Sequence, residues 1–314
     1  MEVIEAMRAI VNTPSGNAPV EIQDVPEPKP RPNEAVVAVQ AFSLNRGELR
    51  LLQLRPDGWR PGQDIAGTVL RAAADGSGPV AGTHVVALTD QGGWAERVAV
   101  PSHRMAPLAE NVSFAAAASL PVAGLTALRC LRHGAPLIGK RVLITGAAGG
   151  VGNLAVQIAA RSGAKVTAVA GSTKRGRAIE GLGAEAIVTA TDKATGRFAL
   201  ILESAGGASL KAAIERVEAR GTVVIYGNSS GQPTTINFRD FADHPNARIQ
   251  SFSYFTSEPE DRFASDLALL AGLVADGSLK PRIVEHGWDE LTAAGLDLHA
   301  RRIAGKAVFH IKQA

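Results

Sequence analysis

The sequence predicts an α/β protein with two kinds of domain, on three observations. The length of 314 residues exceeds what one core usually fills, so about two domains are expected. Before residue 120 the chain shows short β segments between glycine and proline turns, a pattern typical of an antiparallel barrel or sandwich. From residue 120 onward strands alternate with helices, which predicts a doubly wound parallel sheet.

Strand signals mark the first region. Residues 34–44 form an apolar run after the proline-rich PEPKPRP, residues 64–73 end at the turn DGSGP, and residues 83–89 follow that turn. Runs rich in Val, Ile and Thr favour strands, and the glycines and prolines between them favour turns. The sequence therefore predicts a β-rich domain over residues 1–119.

Helix and strand signals alternate in the rest of the chain. The predicted elements are a helical segment at 114–134, the strand RVLITG, a helix at 150–162, the strand KVTAVA, a helix at 174–184, the strands EAIVT and FALILES, a helix at 208–220, the strand GTVVIYG, a helix at 261–279 and the strand KAVFHI. This spacing predicts a parallel-sheet domain over residues 120–250. Residues 251–314 are expected to return to the first region.

Composition excludes several classes of protein. A hydrophobic fraction of 46% with 20% charged residues is ordinary for a globular chain, and a net charge of +3 argues against a nucleic-acid partner. The single cysteine, Cys130, excludes an internal disulfide and a cysteine-rich zinc site, and a buried structural thiol is expected. Apolar runs stay short of the roughly 20 residues that span a bilayer, and no signal peptide is evident, so a cytoplasmic protein without a membrane partner is expected.

A glycine turn in the middle of the chain predicts a dinucleotide site. In VLITGAAGGVGNLAVQ a strand runs into closely spaced glycines, and a helix follows. Glycines let the backbone approach a pyrophosphate, and the helix start offers free N–H groups and the positive end of its dipole. A tight strand–helix turn without a ligand is the alternative. The expected cofactor-binding residues are Gly146, Ala148, Gly149, Gly150, Val151 and Gly152.

The end of the second strand distinguishes NADP from NAD. An NAD site has a carboxylate about 20 residues after the turn to accept from the ribose 2′-OH. This chain has no acid from residue 111 to residue 179, and it carries Ser172, Lys174 and Arg175 at that place. Cationic side chains pair with a 2′-phosphate, which a carboxylate would repel. NADPH is therefore the predicted cofactor, with these three residues as ligands, and a merely solvated basic turn is the alternative.

These segments together resemble the medium-chain dehydrogenase/reductase superfamily, and within it the zinc-independent quinone oxidoreductase-like enzymes, the NADPH:quinone reductase family. The likeness runs over nearly the whole chain, in the segments SLNRGELR, PGQDIAGTV, GGWAERVAVP, LPVAGLTAL, GAAGGVGNLAVQIA, GTVVIYGNSSG and AGKAVFHI. The resemblance implies a GroES-like β-rich catalytic domain, a Rossmann nucleotide-binding domain inserted into it, and a homodimer. It also implies cofactor contacts at Thr126, Gly227 and Asn228, and a weaker one at Lys306.

The resemblance bears on metal binding as well. Zinc-dependent relatives hold their metal with a cysteine and a His-Glu pair, and here those positions carry Asn45, Gln63 and Asp64. Amides and one carboxylate make a poor tetrahedral N/S site, so no metal is expected.

Two catalytic residues are expected from the same comparison. Asn45 matches a family asparagine beside the nicotinamide and the acceptor, and the alternative is an asparagine that holds a loop. Arg50 stands where relatives often carry a tyrosine that faces the acceptor, so it would polarise a carbonyl or bind an anionic group, or else be a surface residue. Glu48 is expected to pair with Arg46 or Arg50.

Without a Lewis acid, an electron-poor acceptor is easier to reduce than an alcohol is to oxidise. Negative charge then builds on an oxygen that hydrogen bonds can stabilise. The predicted function is NADPH-dependent, zinc-independent hydride transfer to a small-molecule quinone or α,β-unsaturated carbonyl. The alternatives are an enoyl-thioester or 2-alkenal reductase, with a basic cleft mouth, and a non-catalytic NADPH-binding protein. The residues of that basic mouth would be Arg46, Arg50, Arg55 and Arg60.

Overall fold

The computed structural model describes residues 6–16, 19–254 and 262–311. The chain divides into two compact units, of which unit 1 combines Met1–Leu125 with Pro259–Ala314 and unit 2 is Thr126–Glu258. The domain boundaries expected from the sequence, after residues 119 and 250, stay predictions. The first residues of the chain, in which the sequence shows no signal peptide, include residues 1–5, and these lie outside the described part. Within the described part no helix is both long enough and apolar enough to cross a membrane.

The first part of unit 1 consists mainly of strands. Its elements are β1 (Ala6–Asn12), β2 (Val20–Pro26), β3 (Glu34–Leu44), α1 (Arg46–Leu54), β4 (Asp64–Arg71), β5 (His84–Leu88), β6 (Arg97–Pro101), a 3₁₀ helix (Ser102–Arg104), β7 (Met105–Pro107), α2 (Phe114–Ala118) and α3 (Pro121–Arg132), whose second half belongs to unit 2. The helical segment predicted at 114–134 is thus two helices. The break precedes Pro121, since proline disfavours helical backbone in the residue before it.

Unit 2 contains the predicted parallel sheet. Its elements are β8 (Arg141–Ile144), α4 (Gly150–Arg161), β9 (Lys165–Val169), α5 (Thr173–Arg177), β10 (Ala186–Val188), a 3₁₀ helix (Thr191–Lys193), β11 (Phe198–Glu203), α6 (Gly207–Arg216), β12 (Val217–Ile225), a 3₁₀ helix (Phe238–Phe241) and β13 (Arg248–Ser251). The strand order is β10-β9-β8-β11-β12-β13, and all neighbouring pairs are parallel. The loops after β8, β9, β11 and β12 therefore lie at one edge of the sheet.

Two predicted helices of unit 2 are shorter than the sequence indicates. The helix expected at 174–184 ends at Arg177, and Gly181 and Gly183 then have φ of +78° and +98°, in the left-handed region that stops a helix. The helix expected at 208–220 ends at Arg216, because residues 217–220 begin β12 instead.

The last part of the chain completes unit 1. It contains α7 (Arg262–Ala275), β14 (Ile283–Gly287), a 3₁₀ helix (Trp288–Glu290), α8 (Leu291–His299) and β15 (Lys306–His310). β15 pairs with β3 in a sheet of order β14-β15-β3-β4-β5-β7, in which β6 also pairs with β3. The ring of Phe42 stacks on the rings of Phe309 and Trp94, with centroid distances of 5.1 Å and 5.6 Å. These buried rings fill the core on one face of this sheet.

Candidate functional site

The glycine turn follows β8 at the carboxyl edge of the sheet in unit 2. Gly146 has φ +61°, and its carbonyl oxygen accepts a hydrogen bond from the backbone N–H of Gly149 at 2.8 Å. A Cβ at Gly152 would lie 2.3 Å from that carbonyl oxygen, so only glycine fits there without a shift of the turn.

The helix after the turn leaves its first amides to a ligand. α4 begins at Gly150, and its N-cap, Gly149, has no side chain that could cap these amides. Together with the helix dipole they favour an anion such as a pyrophosphate, so the residues present fit the predicted dinucleotide. The exposed turn residue is Gly146, the half-buried ones are Gly149, Gly150 and Val151, and the buried ones are Ala148 and Gly152.

The basic turn after β9 lies at the same edge, because β9 is the neighbour of β8. The Ser172 hydroxyl accepts from the backbone N–H of Arg175 at 3.3 Å and so caps the short helix α5. Lys174 is exposed and Arg175 is half-buried. Ser172 thus shapes the turn that carries the two cations, and their contact with a 2′-phosphate stays a prediction.

A buried glutamate that the sequence analysis missed organises this edge. Glu203, at the end of β11, is 0% exposed, and its carboxylate accepts from the backbone N–H groups of Ala205 at 3.0 Å and Gly206 at 2.9 Å. The Thr145 hydroxyl, which follows β8, donates to Glu203 at 3.3 Å and accepts from the N–H of Ser204 at 2.8 Å. The ends of β8 and β11 are therefore fixed to each other. An acid at the end of the apolar run FALILE is the signal that could have found it.

The segment after β12 joins the same edge. The Tyr226 hydroxyl donates to the carbonyl oxygen of Thr145 at 3.1 Å, and burial raises the pKa of Tyr226, which keeps the donor protonated. Gly227 is half-buried, and the exposed Asn228 lies so close to Gly206 that a Cβ there would meet its Oδ1 at 2.1 Å. The structure thus brings the predicted residues Gly227 and Asn228 to the edge that carries the glycine turn.

Helix α3 carries Thr126 and Cys130, for which the sequence predicts a cofactor contact and a buried thiol. Thr126 is 6% exposed, and its predicted contact with the nicotinamide stays a prediction. Cys130 is fully buried, and burial raises the pKa of its thiol. The prediction of a buried thiol is confirmed.

In unit 1 the end of β3 leads into Asn45. Its Nδ2 donates to Asp64 at 2.8 Å and to Glu48 at 3.1 Å, and its Oδ1 accepts from Lys306 Nζ at 2.5 Å. A flipped carboxamide would point its NH₂ group at an ammonium and its oxygen at two carboxyl groups, so chemistry fixes this orientation. Both hydrogens of the Asn45 side chain are therefore already bound, and its catalytic role stays a prediction.

The prediction that Glu48 pairs with Arg46 or Arg50 is wrong. Glu48 is 0% exposed, and its carboxyl group accepts from the backbone N–H groups of Asn45 at 2.8 Å and Gln63 at 3.0 Å. The guanidinium of Arg46 donates to the carbonyl oxygen of Leu298 instead. Burial, and after it the charge of Asp64, raises the pKa of Glu48 to about 8.

Arg50 lies on a different face of α1 from Glu48. Residues two positions apart in a helix are separated by about 200° of rotation. The face of α1 that buries Glu48 and Leu52 therefore leaves Arg50 exposed. The structure does not bring the two predicted catalytic residues, Asn45 and Arg50, into contact.

Asp64 and Lys306 form a buried ion pair that the sequence analysis missed. Asp64 is 0% exposed and Lys306 is 4% exposed. The Asp64 carboxylate accepts from Lys306 Nζ at 2.8 Å, from the Ser43 hydroxyl at 2.7 Å and from the backbone N–H of Val122 at 2.8 Å. The two partners are 242 positions apart, which is why no local pattern indicates the pair.

The residues at the positions where zinc-dependent relatives hold their metal do not fit zinc here. Their side chains offer amides and one carboxylate, whereas zinc prefers thiolate and imidazole ligands. The Lys306 ammonium, 2.8 Å from Asp64, would repel a divalent cation at that carboxylate. Across residues 6–16, 19–254 and 262–311, no group of three or more His, Cys, Asp or Glu residues is placed to hold a metal.

Several known proteins are similar to this chain in sequence. Residues 150–272 match the protein family described as zinc-binding dehydrogenase. The polyketide synthase system protein NorB of Streptomyces orinoci is 33% identical over 297 residues, and the match covers 90% of this chain but only 13% of that protein. A quinone oxidoreductase of Lama guanicoe is 29% identical over 327 residues, with 98% of each chain covered.

A solved structure gives the same result for the fold. The quinone oxidoreductase of Pseudomonas syringae pv. Tomato DC3000 is 25% identical, with a TM-score of 0.86 over 98% of this chain and 100% of that one. The predicted fold class, a GroES-like β-rich domain with a Rossmann domain, is confirmed. These likenesses support the quinone oxidoreductase-like family of the medium-chain dehydrogenases/reductases, the family that the sequence resembles.

Proposed function

We propose that this chain catalyses the NADPH-dependent reduction of a quinone or an α,β-unsaturated carbonyl without a metal. The observation that carries the proposal is the pair Lys174 and Arg175 after β9, at the sheet edge that also holds the glycine turn. The pair provides two cations for a 2′-phosphate, and no carboxylate follows before Glu180. The likeness to a quinone oxidoreductase over 98% of both chains supports the acceptor class.

The residues of this chain bind NADPH and the acceptor, orient them, and stabilise the charge that develops on the acceptor. NADPH, when bound, supplies a hydride, which carries two electrons to the acceptor. Negative charge then builds on the acceptor oxygen, and solvent provides the proton that completes the product. Arg50 is the proposed donor to this oxygen, because its guanidinium is exposed while both Nδ2 hydrogens of Asn45 are bound to carboxyl groups.

An enoyl thioester is the second candidate acceptor. Arg46, Arg50 and Arg55 are all exposed on or directly after α1, and such cations suit the phosphate of a pantetheine-type substrate. One relative is named as a protein of a polyketide synthase system, which supports this candidate.

A panel of acceptors tests the proposal. The initial rate of NADPH oxidation is measured with a naphthoquinone, a short 2-alkenal and a crotonyl thioester, and each assay is repeated with NADH. We expect the quinone or the alkenal to be reduced, and faster with NADPH than with NADH. The highest kcat/KM with the thioester would favour the second candidate. Tight NADPH binding with no acceptor reduced would instead identify a non-catalytic NADPH-binding protein.

We further propose a cytoplasmic homodimer, as the family resemblance implies. Light scattering on the purified chain tests the dimer, and we expect a mass twice that of one chain. A mass equal to one chain would contradict it.

A further inference from the structure

Four polar side chains of unit 1 form one hydrogen-bonded group, which we call the Lys306 cluster: Asn45, Glu48, Asp64 and Lys306. Asn45 is half-buried and the other three are buried. Among the described residues Lys306 is the only buried lysine. Burying an ammonium carries a large desolvation cost unless it is paired and hydrogen-bonded. The ammonium of Lys306 meets this condition through its contacts with Asp64 and Asn45.

Strand register explains how the cluster forms. β15 pairs with β3 so that Ala307 lies opposite Leu44, and β3 pairs with β4 so that Ser43 lies opposite Asp64. Asn45 directly follows Leu44, and Lys306 directly precedes Ala307, so these two residues lie opposite each other. Because side chains alternate between the two faces of a sheet, both lie on the same face as Asp64. The ends of three neighbouring strands thus converge on the carboxamide of Asn45.

Lys306 determines which way this carboxamide points together with Glu48 and Asp64, and it is the partner of Oδ1. With the ammonium at Oδ1, only one orientation satisfies all partners of the Asn45 side chain. Without the ammonium, Oδ1 loses its partner, while Asp64 stays 0% exposed without a counter-charge. Removal of the charge therefore affects both the orientation of Asn45 and the stability of the fold.

We propose that Lys306 is a positioning residue: its ammonium holds the carboxamide of Asn45 in one orientation and occupies, between the oxygens of Asn45 and Asp64, the place of a metal cation. The effect extends to α1, because Glu48 joins the backbone and side-chain amides of Asn45 to this helix. Lys306 thereby controls where α1 begins and where Arg50 stands. The kinetic part of this proposal rests on the proposed function, whereas the orientation of Asn45 does not.

A cofactor contact is the competing role for Lys306. Two of its three ammonium hydrogens bind Asn45 and Asp64, and only 5% of its side chain is exposed. We therefore expect its removal to change turnover and not the affinity for NADPH.

Nuclear magnetic resonance tests the orientation directly. Lys306→Met is compared with the wild type and with Lys29→Met, which removes an exposed lysine of unit 1. We expect the side-chain amide signal of Asn45, assigned through its loss in Asn45→Asp, to move in Lys306→Met and to stay in place in Lys29→Met. An unmoved signal in Lys306→Met would overturn the proposal.

Kinetics separate positioning from cofactor binding. In Lys306→Met we expect kcat to fall by roughly tenfold to a hundredfold, the loss that a displaced binding group causes. The dissociation constant for NADPH, measured by fluorescence, should stay within about twofold. A rise in this constant as large as the fall in kcat would assign Lys306 to the cofactor and overturn the proposal.

A double variant separates positioning from a merely structural role. Lys306→Met/Asp64→Asn removes the uncompensated charge, so its melting temperature should recover towards the wild type while kcat stays low. Recovery of both quantities would show that Lys306 only stabilises the fold, and the proposal would fail. If the wild type reduces no acceptor, the proposed function fails. The amide signal of Asn45 then decides by itself whether Lys306 orients this carboxamide.

Discussion

Lys174 and Arg175 carry the proposed preference for NADPH, and each can be tested alone. A charge-assisted contact with the 2′-phosphate is worth about 1.5–3 kcal/mol. We therefore expect Lys174→Ala and Arg175→Ala each to raise the KM for NADPH by about tenfold or more and to change the KM for NADH little. Steady-state kinetics with both cofactors provide the measurement.

Arg177→Ala is the matched control for these two variants, because Arg177 is exposed on the same short helix α5. Its KM values for both cofactors should equal those of the wild type. Equal losses with NADPH and NADH in Lys174→Ala or Arg175→Ala would refute the assignment of the 2′-phosphate site.

Glu48 makes the stability of the fold depend on pH. Burial, and then the charge of Asp64, raises its pKa from 4.5 to about 8. Between these values the folded chain keeps a proton that the unfolded chain releases. The free energy of unfolding should therefore fall as the pH rises through this window, by at most about 1.4 kcal/mol per pH unit. The stabilisation is fully present below the lower value and lost above the higher one.

Glu48→Gln removes this titration. Urea unfolding between about pH 5 and about pH 9 should show a flatter pH dependence in this variant than in the wild type. Glu110→Gln, at an exposed position of unit 1, serves as the control and should keep the wild-type slope. Identical slopes in Glu48→Gln and the wild type would show that Glu48 is not the titrating group.

The turn between β8 and α4 depends on the absence of a side chain. In Gly152→Ala the new Cβ would lie 2.3 Å from the Gly146 carbonyl oxygen and 2.6 Å from Ala147 Cα. Because both are backbone atoms, the turn must open. We expect the affinity for NADPH to fall at least about tenfold, measured by fluorescence titration, together with a lower melting temperature.

Gly272→Ala is the control for this helical substitution. Gly272 lies in α7, and a Cβ there meets nothing within 4 Å. The exchange should raise stability by roughly 0.5–1 kcal/mol and leave NADPH binding unchanged. Unchanged NADPH binding in Gly152→Ala would contradict the role of the turn.

Local patterns predicted some elements well and others badly, for identifiable reasons. The strand predicted at 34–44 is β3 as observed, because a long run of buried apolar residues leaves little choice. The helices predicted at 174–184 and 208–220 end early. In the first, glycines adopt left-handed backbone, and in the second, residues 217–220 join β12 next to β11. Pairing with a neighbouring strand outweighs helix propensity there.

Unit 1 is built from the first and the last part of the chain. β15, from the last part, pairs with β3, from the first, so the Lys306 cluster exists only in the complete unit. The ammonium in this cluster also leads to a prediction about metals, since it lies 2.8 Å from the Asp64 carboxylate.

Removal of metal ions should leave the protein unchanged. After incubation with a chelator, we expect the rate of NADPH oxidation and the melting temperature to equal those of the untreated protein, because amide ligands beside an ammonium bind zinc poorly. Elemental analysis should find far less than one zinc per chain. Stoichiometric zinc, lost together with activity, would contradict both the proposed function and the place given to Lys306.

The α/β class, the glycine turn and the basic residues after β9 could be predicted from the sequence, because hydrophobic periodicity, glycine spacing and charge act over a few neighbouring positions. The partners of Asn45 and Glu48 depend on contacts between distant segments, and the structure shows Glu48 bound to the amides of Asn45 and Gln63 and not to an arginine. The reason is physical: strand register brings Lys306 to Asp64 across 242 positions, and burial then determines which charges must pair.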